Sequence, residues 1–170
     1  MNYKFLIDPD QCLGCSACEA ACKEGYDLEI GIRRRKVVEV EQGSFPNVKR
    51  RYFSMACFHC DDAPCMRVCR MNAIYKRENG VVLVNKNLCI GCGYCLYACP
   101  FAAPQFKGSG TFGTKGKMDK CTLCYDRLEK GLLPLCVQTC IGEAIIAGDV
   151  EELLKIKEKK ANAIIWGYKP

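Results

Sequence analysis

The chain has 170 residues, of which 49% are hydrophobic and 26% charged, so it suits one or two small globular domains and not an intrinsically disordered chain. No apolar run approaches the roughly 18 residues that span a bilayer, and the opening residues, MNYKFLIDPD, lack the apolar segment of a signal peptide. The sequence therefore predicts no export signal and no transmembrane segment.

The sixteen cysteines are the most unusual feature of the composition. Such a density is typical of small disulfide-rich secreted proteins or of metal-binding proteins. Because no export signal is predicted, we expect a cytoplasmic location, where cysteines bind metals more often than they form disulfides. The cysteines fall into four groups of four along the chain.

A strand is predicted at Tyr3 to Ile7, immediately before the first cysteine group. This group has the spacing C-x2-C-x2-C-x3-C of ferredoxins: Cys12, Cys15, Cys18 and Cys22. Three cysteines at this spacing surround one corner of a 4Fe-4S cubane, and Gly14 allows the backbone to approach it closely. The fourth cysteine is expected to begin a helix that points away and to bind a neighbouring cluster.

The next predicted element is a hairpin with strands at Val37 to Glu41 and Val48 to Ser54. It leads into a second group with the spacing C-x2-C-x4-C-x3-C: Cys57, Cys60, Cys65 and Cys69. His59 lies inside this group. Since the group already supplies four thiols, we expect His59 to be a partly exposed polar neighbour and not a ligand.

A second hairpin is predicted from Ala73 to Tyr75, the turn signal Asn79-Gly80 and a strand at Val81 to Val84. The third cysteine group follows and repeats the spacing of the first, with Gly91 in the position of Gly14: Cys89, Cys92, Cys95 and Cys99. The fourth group reads C-x2-C-x11-C-x3-C: Cys121, Cys124, Cys136 and Cys140.

The groups form an internal repeat. The third group follows the first at one constant offset, and both the second and the fourth groups end in C-x3-A-I, at Cys69 to Ile74 and at Cys140 to Ile145. The chain is therefore predicted to be a duplicated unit of the order A-B-A-B. Zinc ribbons use C-x2-C pairs separated by longer gaps, and disulfides do not generally close within one curled loop, so iron-sulfur clusters are favoured.

Two basic or glycine-rich motifs have simpler explanations than ligand binding. Gly108, Gly110 and Gly113 match G-x-G-x-x-G, a fingerprint that requires a strand before it and a helix after it inside a nucleotide-binding unit. Here the motif is squeezed between two cysteine groups, so a flexible loop is expected. Arg33-Arg34-Arg35 is expected to form a solvated face. Four clusters at about −2 each would more than offset the formal charge of +6, so no nucleic-acid partner is predicted.

The C-terminal residues are predicted to form a helix and a tail. Asp149 is a suitable N-cap for a helix that continues through Lys160, with Leu153, Leu154 and Ile156 on its apolar side. The tail, Ala163 to Tyr168, is expected to add a strand or to dock on a partner.

Three segments carry a resemblance to a known family. They are C-F-H-C-D-D-A-P-C in the second group, C-I-G-C-G-Y-C-L-Y-A-C-P-F-A-A-P in the third, and K-M-D-K-C-T-L-C-Y-D-R-L entering the fourth. From about Leu6 to about Asp149 the chain resembles the four-cluster iron-sulfur subunits of molybdopterin and tungstopterin oxidoreductases. That family includes subunits of formate dehydrogenases and of dimethyl sulfoxide, polysulfide and thiosulfate reductases.

The resemblance implies which cysteines share a cluster. Cluster 1 would be held by Cys12, Cys15, Cys18 and Cys140, and cluster 2 by Cys121, Cys124, Cys136 and Cys22. Cluster 3 would be held by Cys57, Cys60, Cys65 and Cys99, and cluster 4 by Cys89, Cys92, Cys95 and Cys69. The sequence departs from the family at Arg70 and Ile141, where proline usually follows the cysteine.

The fold implied is α+β, with two intertwined bacterial-ferredoxin-like modules, short hairpins and a C-terminal helix. The first module would comprise residues 1–56 and 101–149, with motifs one and four and the inserted hairpin. The second would comprise residues 57–100, with motifs two and three, and residues 150–170 would form the C-terminal helix and tail.

The implied function is non-catalytic electron transfer. The chain would carry electrons between a larger molybdo- or tungstopterin catalytic subunit and a second redox partner, either a ferredoxin or a membrane quinone subunit. Alternatives are a free soluble polyferredoxin, and the ferredoxin subunit of a hydrogenase or of a tungsten aldehyde oxidoreductase complex. Because several relatives are exported together with a signal-bearing partner, a periplasmic location is the alternative to the cytoplasm.

Overall fold

The computed structural model describes residues 1–107 and 116–165. Its strands are β1 (Tyr3–Ile7), β2 (Arg35–Gln42), β3 (Lys49–Ala56), β4 (Ile74–Lys76), β5 (Val82–Val84), β6 (Gln105–Phe106), β7 (Met118–Asp119) and β8 (Ile145–Asp149). Its helices are α1 (Ala17–Gly25), α2 (Pro64–Arg67), α3 (Tyr94–Ala98), α4 (Tyr125–Leu128), α5 (Leu135–Gln138) and α6 (Val150–Ile165). The α+β class is as predicted, whereas Gly108, Gly110 and Gly113 lie outside the described residues.

The strands form antiparallel pairs, in the order β1-β8, β2-β3, β4-β5 and β6-β7. The β1-β8 pair places Ile7 opposite Ile145, so the residues before the first cysteine group lie beside those after the fourth. Both predicted hairpins are confirmed. Strand β5 begins at Val82 and not at Val81, because the Val81 amide donates to the Asn79 side chain within the turn.

Helix packing brings distant cysteine groups together. Helix α1, which follows the start of the first group, contacts α5 in the fourth group, and α2 in the second group contacts α3 in the third. A two-stranded sheet is marginally stable alone, so these contacts and the residues between them must hold the hairpins in place. The division into modules at residues 56, 100 and 149 stays a prediction.

The apolar core is divided into small clusters in which cysteines take part. One contains Ile74, Val82 and Met118 with Cys65 and Cys95. A second is formed by Ile145 with Cys18 and Cys136, and a third by Val81, Leu83 and Leu123. Because the cysteine sites lie between the apolar residues, what occupies those sites becomes part of the protein interior.

Helix α6 begins where it was predicted, with the Asp149 carboxylate accepting the Glu151 amide at 3.2 Å. It continues to Ile165, so the predicted strand is wrong for residues 163–165, while residues 166–170 lie outside the described part. Of its expected apolar residues, Leu153 is buried, but Leu154 and Ile156 are exposed. Within residues 1–107 and 116–165, no helix has the length and apolar character to cross a membrane.

The end of α6 is tied to the loop that follows β1. The Lys160 ammonium donates to Asp8 Oδ1 at 2.7 Å and to Asp10 Oδ2 at 3.2 Å. Both Lys160 and Asp8 are mostly buried, with side-chain exposures of 18% and 16%. This contact should therefore contribute more to the stability of α6 than an average surface ion pair does.

We predict that Lys160→Gln loosens α6 by about 1 kcal/mol. Its amides should then exchange with deuterium about fivefold faster in hydrogen-exchange mass spectrometry. Lys159→Gln, at the exposed neighbouring position, should leave the exchange unchanged. Equal exchange in the parent and the Lys160 variant would contradict an anchoring role for this ion pair.

Candidate metal centres

All sixteen cysteines are free thiols in the structure. They lie on loops and on short helices, and those on α1, α2, α3 and α5 are the buried residues of these helices: Cys18, Cys22, Cys65, Cys95 and Cys136. Such helices present a thiol to the interior without a long apolar face. The expectation that the fourth cysteine of the first group begins a helix is wrong, because Cys22 lies inside α1, one turn after Cys18. The cysteines therefore do not pair as disulfides, the alternative that their number allowed.

The thiols line four sites, each with cysteines from two sequence motifs. Site 1 is a cavity lined by Cys12, Cys15, Cys18 and Cys140. In site 2, repulsion from Cys121, Cys124 and Cys22 acts on the Cys136 thiol, so these four cysteines lie close together. Site 3 is lined by Cys57, Cys60, Cys65 and Cys99, and site 4 by Cys69, Cys89, Cys92 and Cys95. These are the combinations that the resemblance implies, and the ligand assignment itself stays a prediction.

The glycines of the first and third motifs adopt the backbone conformation that the motif requires. Gly14 has φ +69° and Gly91 has φ +70°. A Cβ on Gly91 would lie 2.3 Å from the carbonyl oxygen of Gly116, and one on Gly14 would lie 2.7 Å from the Tyr52 ring. Only glycine therefore allows these loops to curl at this distance from their neighbours.

Several buried thiols of the metal-free protein resist ionisation. Burial, with repulsion from neighbouring cysteines, raises the pKa of Cys22, Cys95 and Cys136 to about 12. A thiolate binds metal, so these sites require a strongly positive occupant that reverses the local electrostatics. A cluster of iron ions would supply that charge.

The geometry suits a body larger than one ion. In the described part of the chain, no three or more His, Cys, Asp or Glu side chains converge as ligands of a single metal ion. A zinc site needs four ligands within about 2.3 Å of one point. Thiols spread around a cavity instead match a cubane, whose iron corners each bind one cysteine.

Unpartnered donors beside the sites support the same fit. Among the described residues, three buried side-chain nitrogen atoms have no hydrogen-bond partner: Arg34 Nη1, Arg35 Nη2 and His59 Nε2. Leaving a buried donor unsatisfied costs about 1–3 kcal/mol. Because all three residues lie close to cysteines of sites 2 or 3, the sulfur atoms of a bound cluster are suitable acceptors.

The expectation that His59 is partly exposed is wrong, because its side chain is fully buried. The Val82 amide donates to His59 Nδ1 at 3.0 Å, so the ring proton is on Nε2. Burial, with the nearby cations, holds the pKa of His59 well below its usual value, and the ring is neutral. A backbone φ of +49° turns this residue inward between two cysteines of site 3.

The arginine run is also not the solvated face that we expected. Arg33 alone is half-exposed, and it pairs with Glu19. Arg34 pairs with Asp119 at 2.6 Å, with a side-chain exposure of 10%, and Arg35 is buried. Tertiary packing decides this difference, since the three residues are chemically identical.

Lys120 is a further buried cation that the sequence analysis missed. Its ammonium donates to the backbone carbonyls of Val82 and Cys121. Burial raises the pKa of Cys57 in site 3 and of Cys121 in site 2, and the Lys120 charge opposes both rises. Lys120 therefore lies at the junction of sites 2 and 3. In the sequence, its position directly before the ligand candidate Cys121 is the feature that could have indicated a role beside the clusters.

The two departures from the family's proline pattern lie in different surroundings. Arg70 lines the cavity of site 4. Ile141 has an exposed fraction of 78% and adjoins Cys140 of site 1. The first places a cation beside a site, and the second leaves an apolar side chain at the surface.

Comparison with known proteins identifies an iron-sulfur family. Residues 48–150 match the family of the 4Fe-4S dicluster domain. The chain is 43% identical to the formate dehydrogenase iron-sulfur subunit of Wolinella succinogenes, over 93% of this chain and 87% of that protein. It is 42% identical to one of the chains of the anaerobic dimethyl sulfoxide reductase of Escherichia coli, over 91% of this chain and 77% of that protein.

A more distant relative extends the comparison. The chain is 36% identical to a subunit of the selenate reductase of Mesobacillus selenatarsenatis, over 88% of this chain and 61% of that protein. With four groups of thiols around sites that suit cubanes, the chain belongs to the family of ferredoxin-like iron-sulfur subunits that includes those of formate dehydrogenase and dimethyl sulfoxide reductase.

Proposed function

We propose that this chain is a non-catalytic electron-transfer subunit that binds four 4Fe-4S clusters, one in each of sites 1 to 4. Each cluster, when bound, accepts and releases one electron. The protein holds the clusters, shields them from water and fixes their order. It works with a larger catalytic subunit, as the names of its relatives suggest. The family resemblance implies that this subunit contains molybdo- or tungstopterin.

The observation that carries this proposal is the order of the sites. Cys18 of site 1 and Cys22 of site 2 lie one helical turn apart on α1. Cys57 of site 3 has Cys121 of site 2 among its charged neighbours, and Cys95 of site 4 has Cys65 of site 3. Consecutive sites are therefore adjacent, which supports a conduit that runs from site 1 to site 4.

Exposed apolar residues adjoin both ends of this order. Leu13 and Ile141, beside site 1, are 65% and 78% exposed. Met71 and Ile90, beside site 4, are 43% and 53% exposed. Apolar contacts next to the terminal sites would allow the catalytic subunit to dock at one end and a second redox partner, a ferredoxin or a membrane quinone subunit, at the other.

The proposed location is the cytoplasm, with the periplasm as the alternative if a signal-bearing catalytic subunit carries the chain across the membrane. A free soluble polyferredoxin, or the ferredoxin subunit of a hydrogenase or tungsten aldehyde oxidoreductase complex, is the competing function. These functions differ in the size of the native assembly, in its metal content and in the identity of the catalytic chain.

We predict that the native protein, purified anaerobically from its own cells, elutes from a size-exclusion column together with a larger chain that contains molybdenum or tungsten. Metal analysis of the complex and mass spectrometry of its chains measure this directly. A cluster-loaded monomer of 19.0 kDa would contradict the subunit role and support the free carrier. A partner that contains nickel would support a hydrogenase.

The ligand assignment predicts the effect of Cys89→Ser. This change should damage site 4 alone, lowering the iron content from about sixteen to as few as twelve atoms per chain and removing or altering one EPR signal. Cys12→Ser, at the equivalent position of the first motif, is the matched variant and should alter a different signal, from site 1. If both variants changed the same signal, the assignment would be wrong.

A further inference from the structure

Arg35 is a buried cation whose position is not explained by the proposed electron path alone. It is the first residue of β2, opposite Ala56 of β3, and its guanidinium lies 4.5 Å from the centre of the Phe5 ring on β1. Its exposed fraction is 2%. Three strands thus enclose a group that is always charged.

This buried charge has no carboxylate partner within residues 1–107 and 116–165. The neighbouring arginines do have one, since Arg33 pairs with Glu19 and Arg34 with Asp119. Arg35 instead donates from Nη1 to Ser54 Oγ at 2.9 Å and to the Ser54 carbonyl at 3.3 Å, while Nη2 has no partner in the described structure. An unpaired buried charge is costly, so an anion must balance it in the working protein.

The groups around Arg35 identify that anion. Burial raises the pKa of Cys18 in site 1 and of Cys136 in site 2, and the Arg35 charge opposes both rises. Ser54 Oγ lies 3.3 Å from Cys18 Sγ, so Ser54 connects the guanidinium to a thiol of site 1. Arg35 therefore lies between sites 1 and 2, where two thiolate-bound clusters would each carry about −2.

We propose that Arg35 sets the reduction potentials of the clusters in sites 1 and 2, with Ser54 as the residue that connects it to site 1. The proposal rests on the proposed function, because it requires clusters in these sites. When a cluster takes one electron from its neighbour, its negative charge increases by one while no bond or proton changes. A fixed cation beside it stabilises the reduced form more than the oxidised form and raises the potential.

Site 4 provides an internal reference. The pKa of Cys95 is raised by burial and by the other cysteines around it, and these are the main influences on that thiol. Removing the Arg35 charge should therefore affect sites 1 and 2 and leave site 4 unchanged. A general disturbance of the fold would not separate the sites in this way.

The test is an EPR-monitored redox titration of the cluster-loaded complex, with dithionite as reductant, in the parent and in Arg35→Met. At a potential where the parent clusters of sites 1 and 2 are half reduced, the ratio of reduced to oxidised cluster should fall about tenfold, which is 59 mV for one electron. Arg35→Lys, which keeps the charge, should restore most of this shift. Arg33→Gln, at the half-exposed end of the same run, should leave all potentials at their parent values.

Unchanged potentials in Arg35→Met, or an equal shift in all four clusters, would overturn the proposal. If Arg35→Met loses iron, the Ser54→Ala variant provides the test instead. We expect the reduction potential of the cluster in site 1 to fall and the other potentials to stay unchanged. An unchanged potential in site 1 would overturn the proposal. A parent protein with fewer than four clusters would contradict the proposed function. If the parent protein binds four clusters but their reduction potentials do not change in these variants, only the role of Arg35 would be contradicted.

Discussion

Thiolates brought close together in a protein interior repel one another, and every other feature of this structure has to accommodate that repulsion. Burial and neighbouring cysteines raise the pKa of Cys22, Cys95 and Cys136 to about 12. These three metal-free thiols therefore favour the protonated state, and positive charge is needed to hold them as ligands. Iron supplies part of it, and the buried side chains of Arg35 and Lys120 supply more. The formal charge of +6 follows from the same requirement, because it counts every cysteine as neutral.

The same sites replace part of the hydrophobic core. A small chain has limited apolar interior, and here that interior is divided into clusters centred on residues such as Ile74, Ile145 and Leu123. Helices α1 and α5, and likewise α2 and α3, pack beside the sites that their cysteines line. In the proposed assignment each cluster joins two motifs that are distant in sequence. Cluster binding would then stabilise the fold and position the electron path at once.

The part of this architecture that can be predicted from the sequence is the part set by local patterns. The hairpins follow from turn signals such as Asn79-Gly80, the start of α6 follows from the Asp149 cap, and the cysteine groups follow from their spacing. The burial of His59, Arg35 and Lys120 could not be predicted in the same way, because it depends on residues from other strands. Val82, for example, supplies the amide that fixes the His59 tautomer and the carbonyl that binds Lys120.

The central claim is that four clusters are each bound by cysteines of two motifs. An anomalous difference map at the iron absorption edge, from crystals of the cluster-loaded complex, tests it most directly. The account predicts four iron centres in this chain, each bound by three cysteines of one motif and the last cysteine of its partner motif. Fewer centres, or a centre bound by four cysteines of a single motif, would contradict the account.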